Sequence, residues 1–187
     1  MERDEKISIQ KCQKGDLEKF GILYDKYIKK IYDFIYFKTH HKETAEDLTS
    51  QTFFKALDKI NSFRVEDGFF SAWLFQIARN TVIDHYRTQK YNLDIDEIWD
   101  LSDDTDIERD IDTKEKLKDV EIYLKKLNSE QREIIIMRVW QGMSYKEIAE
   151  ATGKTEASLK MMYSRTINKL RQDMPLAMFI SMLLLFK

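Results

Sequence analysis

The sequence is poor in the residues that turn a chain sharply, with one proline and five glycines among 187 residues. Strand-and-hairpin architectures need both at their tight turns, so the shortage disfavours them. A single cysteine, Cys12, cannot form an internal disulfide. The first thirty residues lack the apolar core and small-residue cleavage site of a secretory signal, and a protein kept in the reducing cytoplasm is expected. Cys12 with His40, His41 and His85 fits no metal-ligand spacing, so no metal is expected. There is no glycine-rich phosphate loop and no paired nucleophile and base, which points away from an enzyme and from any cofactor.

What is present is 43% hydrophobic and 34% charged residues, a balance that suits a mostly helical protein. The net charge of −2 conceals a segregation along the chain. Residues 1–90 carry 16 basic against 14 acidic groups, residues 91–112 carry 1 against 10, and residues 113–187 carry 14 against 9. Screening confines the relevant field to roughly 8–10 Å, so two mildly basic blocks can each attract phosphate despite the acidic stretch between them.

Apolar residues recur at three- and four-residue steps through most of the chain. Residues 4–39 read as two helices broken near Gly15–Asp16, followed by helices at about 43–60 and 69–89. The stretch 91–112 has little apolar periodicity and repels itself, so it is expected to be an extended connector, or else an acidic surface loop of one larger domain. The helical period returns at 113–127, 129–141, 144–152 and 155–172, with Ser129, Ser144 and Thr155 as expected caps and Ser144 with Glu147 as a capping box. The fold expected is all-α: two small helical domains, 1–90 and 113–173, joined by the acidic linker 91–112 and followed by an apolar tail, 174–187.

The pair 144–152 and 155–170 has helix-turn-helix anatomy, with Ala149 where the helices approach, Gly153 at the turn, and Ile148, Leu159 and Tyr163 in the core between them. At 100° per residue Leu159, Tyr163, Thr166 and Leu170 face inward, while Ala157, Ser158, Lys160, Met161, Ser164 and Arg165 face outward. The outward set suits a DNA groove: cations for phosphate or guanine, hydroxyls for either, and apolar groups for thymine methyls. A helical hairpin that merely packs is the alternative.

A second cluster, Phe63, Phe69, Phe70, Trp73 and Phe75, is interleaved with Arg64, Arg79, Arg87 and Lys90. Such a mixture suits stacking of unpaired bases at ~1–3 kcal/mol each, and it suits a hydrophobic core equally well.

With both halves in view, the chain resembles the extracytoplasmic-function (ECF) group of sigma-70-type factors over about residues 10–90 and 115–171. Residues 47–57 (DLTSQTFFKAL) resemble its core-polymerase-binding stretch, and residues 69–87 (FFSAWLFQIARNTVIDHYR) resemble its promoter-melting helix. Residues 127–171 resemble its helix-turn-helix domain together with the helix that leads into it. The resemblance implies that Asp47, Leu48, Gln51 and Phe53 dock on the polymerase clamp helices. It also implies that Asn80 and the loop from Phe63 to Phe70, with Arg64, hold a flipped base of the −10 non-template strand, and that Arg79, Asp84 and Arg87 lie along neighbouring nucleotides. Capturing such a base offsets an unpairing cost of a few kcal/mol and so favours open duplex. The chain departs from the family in carrying Met161 and Met162 after Lys160, and in a longer Arg64–Phe70 loop.

The partners so implied are core RNA polymerase, promoter DNA and an anti-sigma factor. A stand-alone helix-turn-helix regulator is the rival, although no sensor domain or dimerisation zipper is evident. The tail is shorter than the ~20 apolar residues a bilayer core requires, so stable membrane insertion is not expected. It is left to dock on the rest of the chain, on a partner or on a membrane surface.

Overall fold

Gly15 takes φ +97° and ends the first helix, α1 (Arg3–Gln13), with Asp16 N donating to Lys11 O at 3.1 Å, the long bond that closes such helix ends. The computed structural model describes residues 3–39, 41–66, 68–89, 120 and 122–184. The acidic stretch expected as a linker, 91–112, and most of the helix expected at 113–127 lie outside the described residues. The chain divides into two compact units, the first built from Met1–Asn92 with Glu150–Thr152 and the second from Leu93–Ala149 with Gly153–Lys187.

In the first unit a 3-10 turn at Leu17–Lys19 leads into α2 (Phe20–Thr39), then α3 (Lys42–Asp58), a 3-10 turn at Ile60–Ser62, and α4 (Phe70–Gln89). Leu23, Ile31, Phe34 and Ile35 of α2, Ala45, Leu48 and Ala56 of α3, and Phe70, Leu74 and Phe75 of α4 are all buried. Edge-on aromatic pairs lock these helices, Phe34 meeting Phe75 at 5.1 Å and Phe20 meeting Phe53 at 6.4 Å. Such pairs stabilise by about 0.5–1.5 kcal/mol beyond their buried area.

In the second unit Leu124 and Leu127 are buried ahead of α5 (Ser129–Ile135). The cap of α5 is Asn128, one residue before the Ser129 expected from sequence: Gln131 N donates to Asn128 Oδ1 at 2.9 Å and Asn128 N to Gln131 Oε1 at 3.2 Å. Ser129 is instead the first helical residue and is buried. The helix then widens into a π turn at Ile136–Trp140, with Gln141 N bonded to Ile136 O at 3.0 Å, where sequence gave one uninterrupted helix. Next come α6 (Tyr145–Thr152), α7 (Glu156–Asp173) and α8 (Leu176–Leu184). The described residues carry no strand.

Part of the tail therefore folds as α8 against its own unit. Phe179 and Met182 are buried, and the Trp140 indole N–H donates to Met182 O at 3.1 Å. Among the described residues no helix is long and apolar enough to cross a membrane.

Candidate nucleic-acid interface

The turn between α6 and α7 is built by its caps. Ser144 N donates to Glu147 Oε2 at 2.8 Å while Glu147 N donates to Ser144 Oγ at 3.2 Å, the reciprocal box expected from the spacing. Gly153 takes φ +73° at the end of α6, and Thr155 Oγ1 then accepts Ser158 N at 3.2 Å to start α7. With both ends fixed, the face that α7 presents is set. Leu159, Thr166 and Leu170 are buried and Tyr163 is half-buried, as the helical period requires.

On the opposite side Ala157, Lys160, Met161, Ser164 and Arg165 are exposed and Ser158 is half-exposed, so the six residues expected to face a groove share one outer surface. Lys160 pairs across one turn with Glu156 at 3.4 Å, and its ammonium lies 5.7 Å from the centre of the Tyr145 ring. Arg138, carried by the π turn, also lies over that ring at 4.9 Å and donates to Met143 O at 2.7 Å. Tyr145 in turn meets Tyr163 edge-on at 6.0 Å. Burial raises the Tyr163 hydroxyl above its ordinary pKa, with Tyr145 adding to the rise and Arg138 opposing it, so the group stays a neutral hydroxyl. Sequence reasoning missed Arg138 and Tyr145; an Arg seven residues ahead of a tyrosine carries no periodic signal across an irregular turn.

In the first unit the residues of α3 divide by helical phase. Asp47 and Gln51 are exposed, whereas Leu48 and Phe53 are 1% and 4% exposed. Leu48 and Phe53, expected at the polymerase contact, thus pack in the core of their unit, where Phe53 lies against Tyr24 at 4.8 Å and holds α3 on α2. The apolar group that α3 does present is Phe54, 74% exposed on the same face as Asp47 and Gln51. Counting the helical phase from Phe53 would have found it.

Phe70, expected in the loop that holds the flipped base, is fully buried and packs on Phe63 at 5.6 Å and on Trp73 at 5.5 Å, so its ring builds an aromatic wall. Arg64 and Asn80 are exposed and Arg79 is half-buried. Asp84 and Arg87 are exposed and form a 3.4 Å pair. Burial lowers the pKa of His85, which lies between Asp84 and Arg87 on the same helix, against an opposing pull from Asp47. Among the described residues no three His, Cys, Asp or Glu side chains are grouped to hold a metal ion.

A helix-turn-helix with a basic outer face, in a chain that also carries a separate aromatic-walled helical unit, defines a two-part nucleic-acid-binding factor. Comparison with known proteins narrows the class. The family description Sigma-70 region 2 matches residues 23–91, and Sigma-70, region 4 matches residues 119–170. The ECF RNA polymerase sigma factor BldN of Streptomyces coelicolor is 34% identical over 89% of this chain and 64% of its own length. The RNA polymerase sigma factor YlaC of Bacillus subtilis is 33% identical over 81% of this chain and 90% of its own length. In the solved complex of CnrH with the cytosolic domain of CnrY, a chain 22% identical superposes with a TM-score of 0.70 over 90% of this chain and 96% of that one, a likeness of fold. The complex of the sigma factor RpoE with the anti-sigma factor NepR from Bartonella quintana gives 26% identity and a TM-score of 0.63 over 82% of this chain and 94% of that one. The chain belongs to the ECF group of sigma-70-type RNA polymerase sigma factors.

Proposed function

We propose that the protein acts as an alternative sigma factor: it joins core RNA polymerase, reads a promoter and favours duplex opening, with no catalytic chemistry of its own and with the cytoplasm as its place of work. The observation that carries this reading is the outer face of α7, where six groove-suited side chains point away from a capped and buried inner face. In this reading residues 1–90 melt and hold the −10 element, 91–112 tether, 113–173 read the −35 element, and 174–187 brace the second unit. The exposed side of α3 supplies the polymerase contact, with Asp47, Gln51 and Phe54 in the contact and Leu48 and Phe53 behind it. Base capture falls to Asn80 and Arg64 together with the aromatic wall, with Arg79 and the Asp84–Arg87 pair along the strand.

An anti-sigma factor is the natural regulator, since one of the similar solved structures is a sigma factor held by such a protein. The test is in vitro transcription of a fragmented genomic library by core polymerase with and without this protein. New transcript starts that share upstream elements are the expected result and give the promoter directly. If no new starts arise while the protein alone shifts duplex DNA, a stand-alone regulator becomes the better account.

A further inference from the structure

The last residue of α1 reaches a segment about fifty positions away. The Gln13 side-chain nitrogen Nε2 donates to the carbonyl of Ile60 at 2.9 Å and to the carbonyl of Phe63 at 2.7 Å. A primary amide nitrogen carries two protons, so one side chain can serve both acceptors. The site it serves is where the chain leaves helical geometry. The 3-10 turn Ile60–Ser62 closes with Phe63 N on Ile60 O at 3.2 Å, and Phe63 is extended at φ −74°, ψ 126°.

Phe63 is thereby held from two sides. Gln13 grips its carbonyl, while its buried ring packs on Phe70 at 5.6 Å and on Trp73 at 5.4 Å, both in the first turn of α4. The next residue, Arg64, is exposed, and Asn80 lies further along α4. A lost Gln13 bond would free the backbone immediately before Arg64 while leaving the aromatic packing chemically intact.

We propose that Gln13 is a positioning residue for base capture, fixing the chain at Phe63 so that Arg64 and the aromatic wall are in place before the −10 base arrives. This rests on the base-capture reading above. Preorganisation of this kind acts on affinity for the captured base and not on the rest of the strand.

The experiment uses holoenzyme and non-template −10 oligonucleotides from the mapped promoter, each intact or carrying one abasic position. The ratio of intact to abasic affinity at the most sensitive position measures base capture alone. Gln13→Met removes both donors at similar volume and is expected to lower that ratio roughly tenfold, the scale of one or two lost hydrogen bonds. Affinity for the abasic strand and for core polymerase should stay within about twofold of the parent. Gln13→Asn, which keeps the amide on a shorter stem, carries the same test if Gln13→Met fails to fold, and should fall between Met and the parent. An unchanged ratio, or equal loss on both oligonucleotides together with weaker core binding, would overturn the proposal and leave Gln13 a packing residue. A parental ratio of one at every position removes base capture itself, and this proposal with it, which separates the two failures.

Discussion

Phe54 stands on the outer face of α3 at 74% exposure, with Gln51 one turn and Asp47 two turns before it. A large ring in that position contributes nothing to the core of its unit, so its removal should leave the fold nearly untouched. An aromatic anchor surrounded by polar groups is the usual composition of an interface hot spot, where truncation costs ~2 kcal/mol or more. Phe54→Ala is therefore expected to weaken binding to core polymerase by at least about tenfold with an unchanged unfolding midpoint, as fluorescence anisotropy and thermal melting would show. Leu48→Ala and Phe53→Ala should do the opposite and act first on stability, by ~2–5 kcal/mol, because they empty core sites. His85 offers a pH test with a definite sign. Its pKa is lowered in the folded chain by burial, against Asp47, so near its ordinary value of 6.5 the unfolded chain binds a proton that the folded chain does not. Stability should thus rise with pH through that range and fall on acidification. His85→Gln should flatten this slope in urea titrations run across it; an unaltered slope would assign it to other groups.

Helix boundaries show which information is local. The box at Ser144 and Glu147, the cap at Thr155 and the glycine at 153 all act within four residues, and each was legible because a cap needs one oxygen at one offset from the first free amide. The inner and outer faces of α7 were legible for the same reason, since a 3.6-residue period follows from hydrophobicity alone. What escaped sequence depends on approach in three dimensions. The π turn at 136–140 is one such feature, as are the Arg138–Tyr145–Lys160 grouping and the grip of Gln13 on residues 60 and 63. The family resemblance named Leu48, Phe53 and Phe70 as contacts where local phase placed them inside. Gly153 makes the element argument testable. A methyl added there would meet no atom within 4 Å, so Gly153→Ala tests backbone conformation alone. With φ +73° disfavoured for a side-chain-bearing residue, the substitution should cost ~1–2 kcal/mol, read as a lower urea midpoint at unchanged slope. Ser144→Ala should cost ~1 kcal/mol by loss of the cap.

Across the whole molecule the charge pattern fits a protein that meets DNA at two separate places and is not meant to hold it alone. The net charge of −2 leaves little general attraction for phosphate, and the 14 basic against 9 acidic groups of residues 113–187 give the second unit only a modest local field. Polymerase must then supply much of the affinity, and in the function proposed above the two units divide the work by step. Arg165→Ala should weaken promoter binding by the holoenzyme by ~1–3 kcal/mol if it meets a base; if it meets a phosphate, the salt slope should fall by about one. Asn80→Ala should leave that first binding step nearly unchanged and reduce opening, measured by the reactivity of unpaired thymines. Because the two side chains belong to different compact units and are proposed to serve different promoter elements, their effects on the yield of open complex should add within ~0.5 kcal/mol. A double substitution that costs clearly less than the sum would mean that both residues serve one step, and the division of labour between −35 reading and −10 melting would have to be abandoned for this chain.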